Sequence, residues 1–239
     1  MVTRRFWWRH AVLVPALFAL AAFVCKRSGL DDVLANSVFD AATQQFWGRE
    51  STALELLGHR IAKAAIFTCW FAVFAGALAA NWVPRLREQR MLLWATALAM
   101  ASGPLLVVAL KPLNAIHCPW DLKQYGGVAD QASGWFVAAH DAGRCFPSGH
   151  ASGGFSLVAL FFAGVVSGER RLQAAGLAFA LGAGMAFSVV RVMQGAHFAS
   201  HNLWAAAIDW ATAATVFALF YGRVEPACAL SGCGAASAS

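Results

Sequence analysis

Charge is what this sequence has least of. Asp, Glu, Lys and Arg make up 13% of its 239 residues and hydrophobic residues 59%, whereas a soluble domain carries about 25% charged residues. An ordinary water-covered surface is thereby excluded. Internal repeats and low-complexity linkers are lacking too. Pro15 interrupts the first apolar stretch. That stretch therefore reads as an uncleaved helix rather than a signal-peptide core. Charge is missing altogether from Ala11 to Cys25, Ala64 to Val83, Met91 to Leu110, Ala151 to Gly168 and Leu172 to Val190; a sixth run, Asn202 to Gly222, is broken only by Asp209. About 20 apolar residues rising 1.5 Å each cross a hydrocarbon core of about 30 Å. The expectation is an all-α membrane protein, a six-transmembrane-helix bundle forming one domain over residues 1–222, with a disordered tail from 223 to 239.

The basic residues orient the bundle. The N-terminal MVTRRFWWRH, the connection PRLREQR and the connection SGERR are short and basic, so they and both termini are expected in the cytoplasm. Two longer segments, about 26–59 and 111–149, then face outward, as does the turn from His197 to His201. Trp7, Trp8, Trp82, Trp120 and Trp135 fall near helix ends, as an aromatic belt would. The net charge of +6 is topology signal and is not read as nucleic-acid binding. Leu30, Val33, Leu34, Val38 and Phe39 form a helical stripe suited to lying at the interface. The second outer segment is long for a connector and rich in Gly, Pro and polar residues, a mark of function.

The polar residues of the outer helix ends carry the chemistry. Lys111 ends the third run, Arg144, Ser148 and His150 open the fourth, Arg191 nears the end of the fifth, and His197 and His201 lead into the sixth. In a bundle these converge on one membrane face. The first amides of a helix lack intrahelical acceptors and carry the positive end of its dipole, which suits phosphate. Gly149 lets the backbone approach closely; Arg and Lys add a fork and a point charge; the imidazoles supply proton transfer or nucleophilic attack. Taken singly, each residue has a plainer reading: a snorkelling cation, a helix cap, a solvated histidine. Together they have a specific spacing, Pro-Ser-Gly-His and then Arg, five residues, His.

That spacing resembles the type 2 phosphatidic acid phosphatase superfamily. Its first motif, Lys, six residues, Arg-Pro, corresponds to KPLNAIHCP from Lys111 to Pro119; its second, Pro-Ser-Gly-His, to Pro147–His150; its third, Ser-Arg, five residues, His, three residues, Asp, to VRVMQGAHFASH from Val190 to His201. The resemblance implies that His197 attacks phosphorus to form a phosphohistidine. His150 would protonate the leaving oxygen and then activate water, and Lys111, Arg191, Ser148 and the Gly149 amide would hold the phosphoryl oxygens. It implies no metal and no cofactor.

Three positions depart from the pattern: Cys118 replaces the first-motif Arg, Val190 the Ser, and His201 the Asp that would hold His197. A neutral His201 accepts a hydrogen bond but brings no negative charge. Asp209 lies roughly 12 Å deeper along the helix and reads as lining the bundle interior. Arg144 is a candidate to restore the missing cation. Cys118 and Cys145 share the second outer segment, an oxidising setting if it is periplasmic. A bridge between them would close a loop of about 28 residues, worth roughly 3 kcal/mol, and tie the first motif to the second. His117 and Asp121 flank the first motif as head-group contacts or as loop packing around Trp120 and Tyr125. Asp31, Asp32, Asp40 and His59 approach from the first outer segment with nothing to fix their geometry.

The implied protein is a phosphatase in the bacterial inner membrane with its active site facing the periplasm. Its partners would be the bilayer and a membrane lipid phosphate such as polyprenyl diphosphate, phosphatidate, phosphatidylglycerophosphate or lipid A. Three rivals stand: a lipid-to-lipid phosphotransferase, a non-catalytic lipid-binding relative, and an intramembrane serine protease using Ser148. The cations around Ser148 speak against the protease. The sequence leaves the oligomeric state open.

Overall fold

The computed structural model describes residues 3–138 and 140–222. The tail expected from residue 223, with Cys228 and Cys233, lies outside the described residues, as does the His59 side chain. Helices dominate: α1 (Arg4–Arg27), α2 (Leu30–Ser37), α3 (Ala62–Ala79), α4 (Arg90–Leu110), α5 (Gly149–Ser167, interrupted at Ser156 and Leu157), α6 (Arg170–Met193) and α7 (Ala199–Tyr221). A two-residue hairpin, β1 (Phe39–Asp40) antiparallel to β2 (Gln45–Phe46), follows α2.

Among the described residues, five helices are long and apolar enough to cross a membrane: α1, α4, α5, α6 and α7. The chain is thus a multi-pass membrane protein by its helices. The run from Ala64 to Val83 gives a shorter apolar helix, because the chain leaves α3 at Ala79 and turns through Asn81, whose side chain bonds Leu78 O at 2.9 Å, toward Pro84. A π-helical stretch, Leu56–Ile61, leads into α3.

α7 is the central post, packing on α1, α4 and α5, while α6 lies along α5 and α3 along α4. Small residues let α5 and α6 touch backbone to backbone: a Cβ on Gly154 would collide with Ala183 and Gly184. Membrane helices associate through such close packing, since lipid is as apolar as leucine. At the far end of the bundle from the outer segments, Trp7, Phe162 and Phe217 stack in the core. Trp7 is buried, so it belongs to this core and not to an aromatic belt; Trp8, Trp82 and Trp135 are exposed. α1 is joined to α7 midway by Trp210 Nε1 donating to His10 Nδ1 at 3.2 Å.

The two outer segments pack on each other rather than standing apart. Phe39, Phe46 and Tyr125 form a ring cluster with centroids 5.1 to 5.2 Å apart. The cluster includes Ala35, Leu122 and Phe198, the residue before α7. The stripe expected on α2 is present with a twist: Leu30, Val33 and Leu34 are exposed, while Asp31 and Ala35 form the buried face.

Candidate active site

The Arg-five-His spacing works because of how α6 ends. Gly195 adopts φ 68°, the left-handed position that commonly closes a helix. Its turn lets the amides of Ala196 and His197 return to Arg191 O at 2.9 and 3.3 Å. Arg191 and His197 are thereby held on one turn. Phe46 fills the space where a Gly195 side chain would sit. Gly48 N donates to Met193 O at 2.9 Å and Trp120 N to Gly195 O at 3.0 Å, so both outer segments clamp this turn.

The Pro-Ser-Gly-His stretch makes the mouth of α5. Ser148 is the N-cap, its hydroxyl accepting from Ala151 N at 3.5 Å, and its own amide donates to His201 O at 3.2 Å. Lys111 reaches over this mouth: a Cβ on Gly149 would meet Lys111 Cε at 3.5 Å and Nζ at 3.6 Å. Arg191 Nη2 lies 3.0 Å from His150 Nδ1 and 2.9 Å from Nε2, and Nη1 donates to Gln194 Oε1 at 2.6 Å. Arg191 Nε is buried without an acceptor. Neither Lys111 nor Arg191 has an ion-pair partner among the described residues. Glu55 acts on Arg191 as a background charge; two half-buried cations beside a helix N-terminus suit an anion.

His197 is buried in this group. Burial first, then His201, Lys111, Arg191 and His150, hold its pKa well below the ordinary imidazole value. It is neutral and carries a lone pair at neutral pH.

The structure brings Lys111, Ser148, Gly149, His150, Arg191 and His197 together. Cys118 and Cys145 form the expected disulfide. Cys118, Cys145 and His197 place their ligand atoms within 4.8 Å of one another, but bonded sulfurs are not thiolates, so they hold no metal in this state. Arg144 takes φ 55° and is exposed, unlike the half-buried Lys111 and Arg191. His201 does not hydrogen-bond His197. The two rings stand 5.9 Å apart, His201 lies among Phe146 and Phe198, and its Nδ1 has no partner among the described residues. His201 instead lines two cavities. One, of about 100 Å³, is shared with Lys26, Asp31, Asp32 and His117; the other, of about 360 Å³, is walled by Leu110, Trp135, Phe146, Trp204 and Ile208. Asp209 is buried against Gly103 in the bundle interior.

One positioning residue, Asn114, escaped the sequence reading, and Asp31 was named there without its role. Asn114, fully buried, donates to Leu110 O at 3.0 Å and Phe146 O at 2.8 Å and accepts from Ile116 N. It ties the end of α4, which carries Lys111, to the loop that carries Ser148. Its signal was a lone amide inside the first motif. Asp31 accepts from Ser200 N at 2.9 Å and from Ser200 Oγ at 2.5 Å. It caps α7 from a distant segment, because Phe198 at the N-cap position has no side-chain acceptor. Asp31→Ala is expected to destabilise the protein by about 2–3 kcal/mol, since a buried charged acceptor is lost. Asp31→Asn should cost less, because its amide oxygen still accepts. Thermal unfolding in detergent checks both, and equal midpoints for Asp31→Ala and wild type would refute the capping role.

Fold and site together define a helical membrane protein with an imidazole-flanked anion site at the helix tips. Residues 92–225 match the family model of the PAP2 superfamily, and the chain belongs to that superfamily. Its members hydrolyse phosphate esters, often of lipids, generally without a metal. No curated protein and no solved structure matches the chain.

Proposed function

We propose that this protein is a lipid phosphate phosphatase that works through a phosphohistidine on His197. The observation that carries the reading is the convergence of Lys111 and Arg191, neither in ion-pair contact among the described residues, on the N-terminus of α5, beside a buried neutral imidazole. The phosphoryl oxygens sit between Lys111, Arg191, the Ser148 hydroxyl and the Gly149 amide, which stabilise the charge that spreads onto them in the transition state. His197 Nε2 attacks phosphorus in line. His150 gives its proton to the leaving oxygen; it then takes one from water, which attacks the phosphohistidine and releases phosphate. Arg191 donates to His150, so an arriving phosphate competes with the His150 ring for that guanidinium. Arg144 stands at the rim. His201 lines the neighbouring cavities and replaces neither the charge nor the hydrogen bond of a carboxylate.

The apolar cavity beside Pro147 and His201 supports a lipid as the carrier of the phosphate. Six crossings, both termini in the cytoplasm and a periplasmic site complete the reading, in agreement with the basic Arg4, Arg5, Arg85, Arg87, Arg170 and Arg171 at the opposite helix ends. The test is phosphate release by purified protein across a panel of polyprenyl diphosphates, phosphatidate, phosphatidylglycerophosphate and lipid A. Release is expected to survive EDTA. Ser148→Ala should lower it roughly 10- to 100-fold, the worth of a hydrogen bond to a charged group; abolition by Ser148→Ala alone would favour a serine nucleophile. Phosphate appearing on a second lipid instead of in solution would make the protein a transferase.

A further inference from the structure

The His197 ring has one hydrogen-bonding neighbour among the described residues, Cys145 Sγ, 3.3 Å from Nδ1. Where the superfamily pattern has a carboxylate, His201 makes no bond to it. Cys145 is bonded to Cys118, and a disulfide sulfur carries no hydrogen, so it accepts and cannot donate. A neutral imidazole has one N–H and one lone pair. An acceptor held at Nδ1 selects the form with the proton there and the lone pair on Nε2.

The sulfur is fixed as firmly as the ring. Cys145 is fully buried, its Sγ touches Ala196 O at 3.1 Å, and its amide donates to Ile116 O at 3.2 Å. Ala196 precedes His197, and Ile116 lies two residues before Cys118. One compact knot therefore contains the bridge and the catalytic turn.

We propose that the Cys118–Cys145 disulfide is a positioning group for His197: the Cys145 sulfur accepts from Nδ1–H and leaves Nε2 free to attack phosphorus. The catalytic part of this inference rests on the reading of His197 as the nucleophile. The bridge orients the ring without adding charge. Reduction places a hydrogen on Sγ, with the two electrons and two protons supplied by added dithiothreitol, which closes to its cyclic disulfide. The thiol then donates to Nδ1, and the imidazole proton moves to Nε2, where it blocks attack.

The experiment is nitrogen-15 NMR on protein labelled at histidine, in detergent, with the His197 signals assigned through His197→Gln. Oxidised wild type is expected to show the Nδ1–H form. Dithiothreitol, or Cys118→Ser with Cys145→Ser, should shift His197 toward Nε2–H. Phosphate release should then fall at least about tenfold in kcat with KM changed less than about threefold, the pattern of a lost transition-state interaction. If the reduced or substituted protein does not fold, the oxidised wild-type spectrum still decides, and an Nε2–H form there overturns the proposal. So does a loss of activity on reduction with the ring form unchanged, which would make the bridge a mere crosslink. An Nδ1–H spectrum without phosphate release would support the ring assignment and sink the phosphatase reading. Release with an Nε2–H spectrum would do the reverse.

Discussion

His197→Ala is expected to abolish phosphate release, a loss of about 10⁴-fold or more, as for a nucleophile whose partners act only through it. Nothing nearby can take its place: the Ser148 hydroxyl caps α5, and His150 faces Arg191. The companion variant His150→Ala should behave differently. With p-nitrophenyl phosphate the leaving group needs no proton, so His197 should still be phosphorylated, but water is not activated. An acid-labile, alkali-stable phosphoenzyme should accumulate, read by radiolabel from a phosphorus-32 substrate. Rapid turnover in His197→Ala, or no phosphoenzyme in His150→Ala, would remove the phosphohistidine route. The pH dependence has a definite sign. His197 has a lowered pKa, so its neutral form is complete at and above the ordinary value of about 6.5. Any acid limb belonging to His197 lies below that value. The same shift stabilises the fold above about 6.5, and that stabilisation is lost as the pH falls from there toward the folded-state pKa.

The second large effect is expected from Arg191→Lys, which keeps the charge. Arg191 spends its fork on Gln194 and His150 at once, a geometry that a single ammonium cannot reproduce. A fall of about 10²- to 10³-fold in kcat/KM is expected, the usual cost of an oxyanion donor. The thermal midpoint should change little, because α6 is closed by the backbone of Gly195 rather than by this side chain. Steady-state kinetics within threefold of wild type would show that the guanidinium fork is not needed and that a point charge suffices.

Much of this site was legible where the chemistry is local. The Ser148 cap, the glycine at 149 and the Arg191–His197 spacing are each written within a few residues, since a cap and a helix-closing turn are short-range geometry. The helices could be read from uncharged runs, although the run through Val83 overshot the end of α3 because a polar turn without charge looks like helix in such a count. What stayed hidden was long-range. Asp31 meets Ser200 across most of the chain, and nothing near either residue announces the other. Asn114 has the same difficulty with Phe146. Trp7 looked interfacial because tryptophan near a helix end usually is, and only packing against Phe162 reveals it as core. His201 sits where a carboxylate was wanted, and only the structure shows its ring turned toward the cavities.

The family match begins at residue 92, yet the roof of the turn that carries Arg191 and His197 is built earlier in the chain. Phe46 seats Gly195, Gly48 holds Met193, and Asp31 anchors the start of α7. A fragment trimmed to the recognised stretch would retain every residue of the proposed phosphate site and surrender the braces that aim them. Conversely, a protease nick near Gly48 would loosen the hold on Met193 while leaving Arg191 and His197 themselves intact.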